Sequence, residues 1–149
     1  QWTLFPIHFR IQIVHADARH VALPAIDLVL TSPPYVGLID YHEQHRYAYE
    51  LLGLPRHDTL EIGAAAKGRS KGAQQIYRQE ILEALARAVS LLRHGGSMVT
   101  VVADRYGLYS GLAAQLGLQE ELRLKRHVNR RTGRRAGEFF EDILIWRKE

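Results

Sequence analysis

Ser32, Pro33, Pro34 and Tyr35 follow directly on an apolar run in "IDLVLTSPPY". A hydroxyl, a row of carbonyls and a phenol ring within four positions suit a planar group that carries an exocyclic amine. The Ser32 hydroxyl and the Pro33 carbonyl can accept both amine hydrogens while Tyr35 stacks on the ring. Accepting those hydrogens turns the nitrogen lone pair out of conjugation and aims it at an electrophile. Proline has no N–H to compete for that lone pair, and its fixed φ limits the loop's freedom, so positioning contributes to the rate. Taken alone, the same residues also describe a rigid turn that ends a strand. With no cysteine in the chain, disulfides, thiolate metal sites and a cysteine nucleophile are excluded.

The elements that must hold this loop follow from periodicity. Residues 26–30 are apolar except for Asp27 and are stopped by the prolines, which predicts a strand buried on both faces, central and parallel rather than at an edge. Residues 11–14 predict a shorter strand upstream. Tyr41, His45, Tyr49 and Leu52 recur at helical spacing before Gly53 and Pro55. Residues 61–73 are Gly-, Ala- and Lys-rich without a period and are expected to form a mobile loop carrying Lys67, Arg69 and Lys71. Residues 73–93 predict the main helix, with Ile76, Ile81, Leu82, Leu85, Val89 and Leu92 on one stripe and "HGG" closing it. A second buried strand at 97–103, a short helix from Tyr109 to Gly117, and an antiparallel hairpin of 118–128 with 139–146 complete the chain. The expected architecture is an α/β sandwich, mostly parallel with an antiparallel C-terminal hairpin. Ligands in such sheets sit beyond the carboxyl ends of the strands, where Thr31 to Tyr35 lie.

At 149 residues, 17.0 kDa and 46% hydrophobic, the chain fits one domain with a real core. No apolar run approaches the roughly 18 to 20 residues of a membrane span, and no signal peptide opens the sequence, so a cytoplasmic location is expected. The net charge of +4 is unevenly spread. Arg123, Lys125, Arg126, Arg130, Arg131, Arg134 and Arg135 crowd one acid-free run. Such a run is either a solvated face or a phosphate-binding one, where closely spaced cations displace counterions from a nucleic-acid backbone. His42 and His45 have the spacing of two metal ligands on a helix but no third partner, which favours surface or base-pocket roles and predicts no metal. Asp40 suits capping the following helix, or with Tyr41 shaping a pocket. Alternation along the last strand places Glu141 towards solvent and assigns it no catalysis.

The motif "DLVLTSPPY" resembles the catalytic motif of S-adenosylmethionine-dependent DNA amino-methyltransferases, and its Ser-Pro-Pro-Tyr form leans towards cytosine N4 over adenine N6. The similarity extends from "HADARHVALPAIDLVLTSPPYVGLIDYHEQHRYAYELLGL" through "LLRHGGSMVTVVAD" to "GEFFEDILIWRK". It implies a Rossmann-like methyltransferase fold in which Ser32, Pro33, Pro34 and Tyr35 hold the target base. Asp17 and Ala18 would lie beside the adenine of the S-adenosylmethionine cofactor. It also implies duplex DNA as partner, with the target base flipped out of the stack. Lys125, Arg126, Arg130, Arg131, Arg134 and Arg135 then become expected nucleic-acid contacts.

Relatives of this kind bind the cofactor with a strand and an Asp-Pro-Phe-x-Gly-x-Gly loop, and no such loop occurs in these residues. "WTLFPIHFR" is similar to the lead-in to that loop, yet "IQIVHADAR" follows at once. One methyltransferase catalytic domain is therefore expected, incomplete, with an internal gap near Arg10. The cofactor half residing on a second chain is the next reading. The rival functions are an RNA base methyltransferase acting on guanine N2, against which Ser32 counts, and a non-catalytic nucleic-acid-binding fragment or partner subunit.

Overall fold

The computed structural model describes residues 10–128 and 138–149. The expectations for Arg130, Arg131, Arg134 and Arg135, and for the "WTLFPIHFR" lead-in up to Phe9, lie outside them. In chain order the elements are β1 (Ile26–Thr31), α1 (Tyr41–Gln44), α2 (Arg46–Leu52), α3 (Lys71–Leu91), β2 (Leu92–Val102), α4 (Leu112–Gln115), β3 (Leu118–His127) and β4 (Phe140–Lys148), with short 3-10 turns at Asp58–Leu60 and Ala65–Lys67. Among the described residues, no helix is long and apolar enough to cross a membrane.

The four strands form one mixed sheet in the order β1-β2-β4-β3. β1 runs parallel to β2, whereas β4 is antiparallel to both β2 and β3. All the chain ends that matter for chemistry therefore meet at one edge: β1, β2 and β3 finish there and β4 begins there. The expected terminal hairpin is present, running from Leu118 opposite Lys148 to His127 opposite Phe140.

Ser70 opens α3 by accepting from the Ala73 N–H at 3.2 Å, a side-chain N-cap. The helix buries Tyr77, Ile81, Leu85 and Val89, spaced four apart on one stripe, against Met98 and Val102 of β2 and Leu144 and Trp146 of β4. Each such side chain taken from water contributes about 1.5 to 3 kcal/mol before conformational entropy is set against it. At the other end the Lys148 ammonium donates to the carbonyls of Val89 and Leu92 at 2.8 and 2.7 Å, a cation placed on the negative end of the helix.

Several expectations are corrected. Residues 11–14 form no strand, and Ile11 and Ile13 are exposed, because no partner strand lies beside them among the described residues. β1 pairs only with β2 there and so lies at the sheet's edge, with Leu28 and Leu30 exposed. Ile76 lies off the buried stripe of α3. "HGG" does not stop the helix: α3 passes directly into β2, and residues between Leu92 and Ser97 bulge out of the β1 ladder, with Gly95 at φ 73°. The expected mobile loop is packed: Ala64 is buried and the Gly63 carbonyl accepts from the Gly37 N–H at 2.8 Å.

One sheet face carries the α3 core. On the other, Leu30 lies beside Val99, Val99 opposite Ile145 and Ile145 opposite Leu122, an apolar row crossing all four strands. Leu30 is 72% and Leu122 46% exposed, so among the described residues this face has no full cover.

Candidate active site

Ser32, Pro33, Pro34 and Tyr35 leave the carboxyl end of β1, and three neighbouring elements immobilise them. The Ser32 hydroxyl donates to the Val101 carbonyl of β2 at 3.2 Å. Its proton is thus committed and its lone pairs are left on an exposed residue, which makes Ser32 an acceptor. The Pro34 carbonyl accepts from the Tyr77 hydroxyl of α3 at 2.7 Å, and Tyr77 in turn lies 2.8 Å from the Tyr109 hydroxyl. With Tyr77 donating to Pro34, Tyr109 supplies the proton between the two phenols. Asp104 fixes Tyr109 by accepting the backbone N–H groups of Leu108 and Tyr109 at 2.7 and 3.1 Å.

The Tyr35 hydroxyl donates to Glu141 Oε1 of β4 at 2.6 Å, and Arg126 of β3 pairs with Glu141 Oε2. Burial first, and the Glu141 carboxylate second, push the Tyr35 phenol up to about 12. Burial also pushes Tyr77 up to about 12 and raises Tyr109. Phe139 stands next to Tyr35, ring centroids 6.4 Å apart and tilted 45°. The small cavity between Tyr35, Tyr77, Asp104 and Tyr109 measures only about 10 Å³, smaller than any base. A base would therefore meet the loop from its open side.

Glu141 corrects the expectation of a solvent-facing residue: its side chain is 11% exposed. Alternation failed because Glu141 stands at the start of β4, where Tyr35 of the loop after β1 meets its carboxylate. The importance of Tyr77 and Tyr109 was also missed. The available signal was a tyrosine in register with Ile81, Leu85 and Val89, since a phenol on a buried stripe needs a partner for its hydroxyl.

Asp17 sits in a turn where Arg19 grips its carboxylate, with contacts between 2.6 and 3.1 Å. That hydrogen bond holds the Asp17 carboxyl down at about 2. Ala18 lines a groove of about 470 Å³ with Thr31, Pro33, Pro34, Ile62 and Leu85. The fold thus joins the Asp17–Ala18 turn to the proline loop along one trough. The groove lining contains no charged side chain, so it fits the apolar parts of a nucleoside cofactor and not its charged ends.

The remaining cations and acids mostly serve the scaffold. Asp40 makes no cap bond to α1; its carboxylate accepts from the Ala66 N–H at 2.9 Å, and Glu61 instead receives the Tyr41 N–H at 2.5 Å. Lys67 donates to the Glu61 carbonyl at 2.6 Å and Arg69 to the Gly37 carbonyl at 2.8 Å. Lys125 lies 5.7 Å from the Phe140 ring centroid. His42 packs against Tyr49, and among the described residues no group of three or more His, Asp or Glu is placed to hold a metal.

No protein-family model matches the chain. A type II methyltransferase of Methanocaldococcus jannaschii, M.MjaII, is 43% identical over 124 residues, which cover 83% of this chain and 23% of that protein. The chain is a type II methyltransferase homologue. It spans less than a quarter of that relative's length, 23%. The homologue also shares its α/β fold with a crystal structure of a candidate DNA modification methylase from Thermus thermophilus. That match has a TM-score of 0.51 at 23% identity and covers 89% of this chain and 52% of the other. The same Thermus protein complexed with S-adenosyl-L-methionine gives a TM-score of 0.49 at 22% identity, covering 89% and 51%.

Proposed function

We propose that this chain is the base-holding part of an S-adenosylmethionine-dependent DNA amino-methyltransferase, acting in the cytoplasm on cytosine N4 in preference to adenine N6. The observation that carries the reading is the Ser32–Tyr35 loop, pinned from β2, α3 and β4 at the carboxyl end of β1. The 43% identity to a type II methyltransferase supports it.

The flipped base lies against the Tyr35 ring, and its exocyclic amine gives its two hydrogens to the Ser32 Oγ and the Pro33 carbonyl. Ser32 is suited to this because its own proton already points at Val101. The amine lone pair then forms the new N–C bond, and the surplus amine proton leaves to water. S-adenosylmethionine supplies the methyl on a sulfonium, so the broken S–C bond leaves its electron pair on sulfur as a neutral thioether. Ala18, Thr31, Pro33 and Pro34 would flank the apolar part of this cofactor. The groups that bind its charged ends, the glycine loop among them, would come from another segment of the protein or from a second chain. Lys125 and Arg126, near the end of β3, and Arg130, Arg131, Arg134 and Arg135, which follow in sequence, would meet the DNA backbone.

Labelled-methyl transfer by the full-length protein to duplex DNA, single-stranded DNA and RNA tests the reading. Incorporation into DNA, recovered as N4-methylcytosine, is expected. Incorporation into RNA alone would replace it with an RNA methyltransferase, and cofactor binding that is undetectable by calorimetry would favour a non-catalytic nucleic-acid-binding role. Tyr35→Ala should abolish transfer with cofactor affinity nearly intact.

A further inference from the structure

A carboxylate on the second residue of a strand, 11% exposed, is unusual enough to need a reason. Its cross-strand partner does not supply one. Arg126 lies directly opposite Glu141 in the ladder, but the Arg126 side chain is 58% exposed, so a pair formed for its own sake could sit outside with the arginine. Instead the carboxylate is turned inward. Oε1 receives the Tyr35 phenol at 2.6 Å and Oε2 receives Arg126. An ionised carboxylate only accepts and Arg only donates, which leaves the direction of every bond in this chain of three fixed.

We propose that Glu141 is a positioning residue for Tyr35: anchored by Arg126, it holds the phenol and so sets the angle at which the Tyr35 ring meets the substrate base. The inference rests on the methyltransferase reading above. Phe139, two residues earlier and buried, packs beside the same ring, so the start of β4 brackets Tyr35 with one apolar and one ionic contact. Among the described residues, the other ionisable or hydroxyl-bearing side chains near Tyr35 are Ser32, Tyr41, Tyr77 and Tyr109, with Asp104 and Tyr106 on the wall of the small cavity. None of them places a carboxylate on the phenol. Turning of the ring would cost this hydrogen bond at a buried carboxylate. The base-holding surface is thus stiffened from a strand more than a hundred residues away in sequence.

The test uses the full-length protein and four variants: Tyr35→Phe, Glu141→Ala, Glu141→Gln and Tyr35→Phe combined with Glu141→Ala. In single-turnover methylation of duplex DNA, Glu141→Ala should slow transfer about tenfold with KM changed less than about twofold. Once Tyr35 is Phe, the same substitution should cost less than about twofold. Glu141→Gln should recover most of the rate, because its amide carbonyl still accepts from the phenol. An equal loss in both backgrounds would overturn the proposal, since Glu141 would then act without the phenol. A second readout needs no activity: tyrosinate absorbance of Glu141→Gln, minus that of the Tyr35→Phe protein, should show Tyr35 titrating lower than in the parent. An unmoved titration overturns the proposal even where Glu141→Ala fails to fold. A shifted titration in a parent protein that transfers no methyl would sink the methyltransferase reading and leave the contact standing.

Discussion

The phenol of Tyr35 and the carboxylate of Glu141 meet at 2.6 Å across 106 positions of sequence, joining the loop after β1 to the first residues of β4. This single bond links the candidate chemistry to the hairpin that closes the sheet. It also turns the ionisation of one tyrosine into a probe of the site.

The three tyrosines of the site make the fold sensitive to alkali. Tyr35 and Tyr77 are pushed from 10.0 up to about 12 and Tyr109 is raised as well. A raised phenol keeps its proton in the fold after the unfolded chain has lost it, so this contribution to stability is complete below pH 10 and falls as pH rises towards 12. Urea midpoints measured across that window should fall steadily, and Tyr109→Phe should flatten the slope. A flat profile in the parent protein would count against the buried phenols.

Tyr77→Phe isolates the support of the second proline. The change strips the Pro34 carbonyl of its donor and leaves Tyr109 without its partner while keeping the ring in the core. A loss of about 1 to 2 kcal/mol in denaturant unfolding is expected, together with slower transfer at unchanged cofactor affinity. A variant as stable and as fast as the parent would show that the clamp is idle.

Gly37 stands where the chain turns back from the loop, at φ 61°, and its N–H donates to the Gly63 carbonyl. A Cβ there would sit 2.6 Å from the Gly68 carbonyl oxygen, a backbone atom that cannot step aside alone. Gly37→Ala should therefore cost more than about 1 kcal/mol. The contrasting control is Gly53→Ala, which meets nothing within 4 Å and has only its φ of 62° to strain it. Equal losses for the two would mean that backbone angle alone decides, and that the Gly68 contact adds nothing.

Asp17 offers an acid-side reading of the turn that precedes β1. Its hydrogen bond to Arg19 lowers its carboxyl from 3.8 to about 2. A depressed carboxyl contributes stability above its unfolded value and loses it as pH falls towards the folded one, here between 3.8 and about 2. Carboxyl-carbon NMR should find Asp17 titrating in that low range, and Arg19→Ala should bring it back towards 3.8. A titration already at the ordinary value in the parent would mean the Arg19 grip does not exist in solution.

Much of the local architecture was legible before the tertiary structure. Apolar residues ending in two prolines predicted β1, an apolar stripe at helical spacing predicted α3, and two alternating segments around a basic run predicted the hairpin, because each depends on backbone dihedrals and on which face is buried. The candidate loop was legible too, as four consecutive residues with complementary groups. The edge position of β1 was not, since an apolar strand reads the same whether a neighbour lies on one side or both. Nor was the packing of residues 61–73, which is set by Gly63 and Ala66 meeting Gly37 and Asp40 more than twenty positions away.

The sequence by itself determined the Ser32–Tyr35 loop, its place after a strand and the helical segment that follows, since these are written in neighbouring residues. Only the tertiary structure decided that Tyr77 would hold Pro34 across 43 positions and that Glu141 would turn inward to Tyr35 across 106. Periodicity reports how much of a side chain is buried, and a buried hydroxyl or carboxylate demands a partner. Which partner it finds depends on strand order and register, and these emerge only when the whole sheet is assembled.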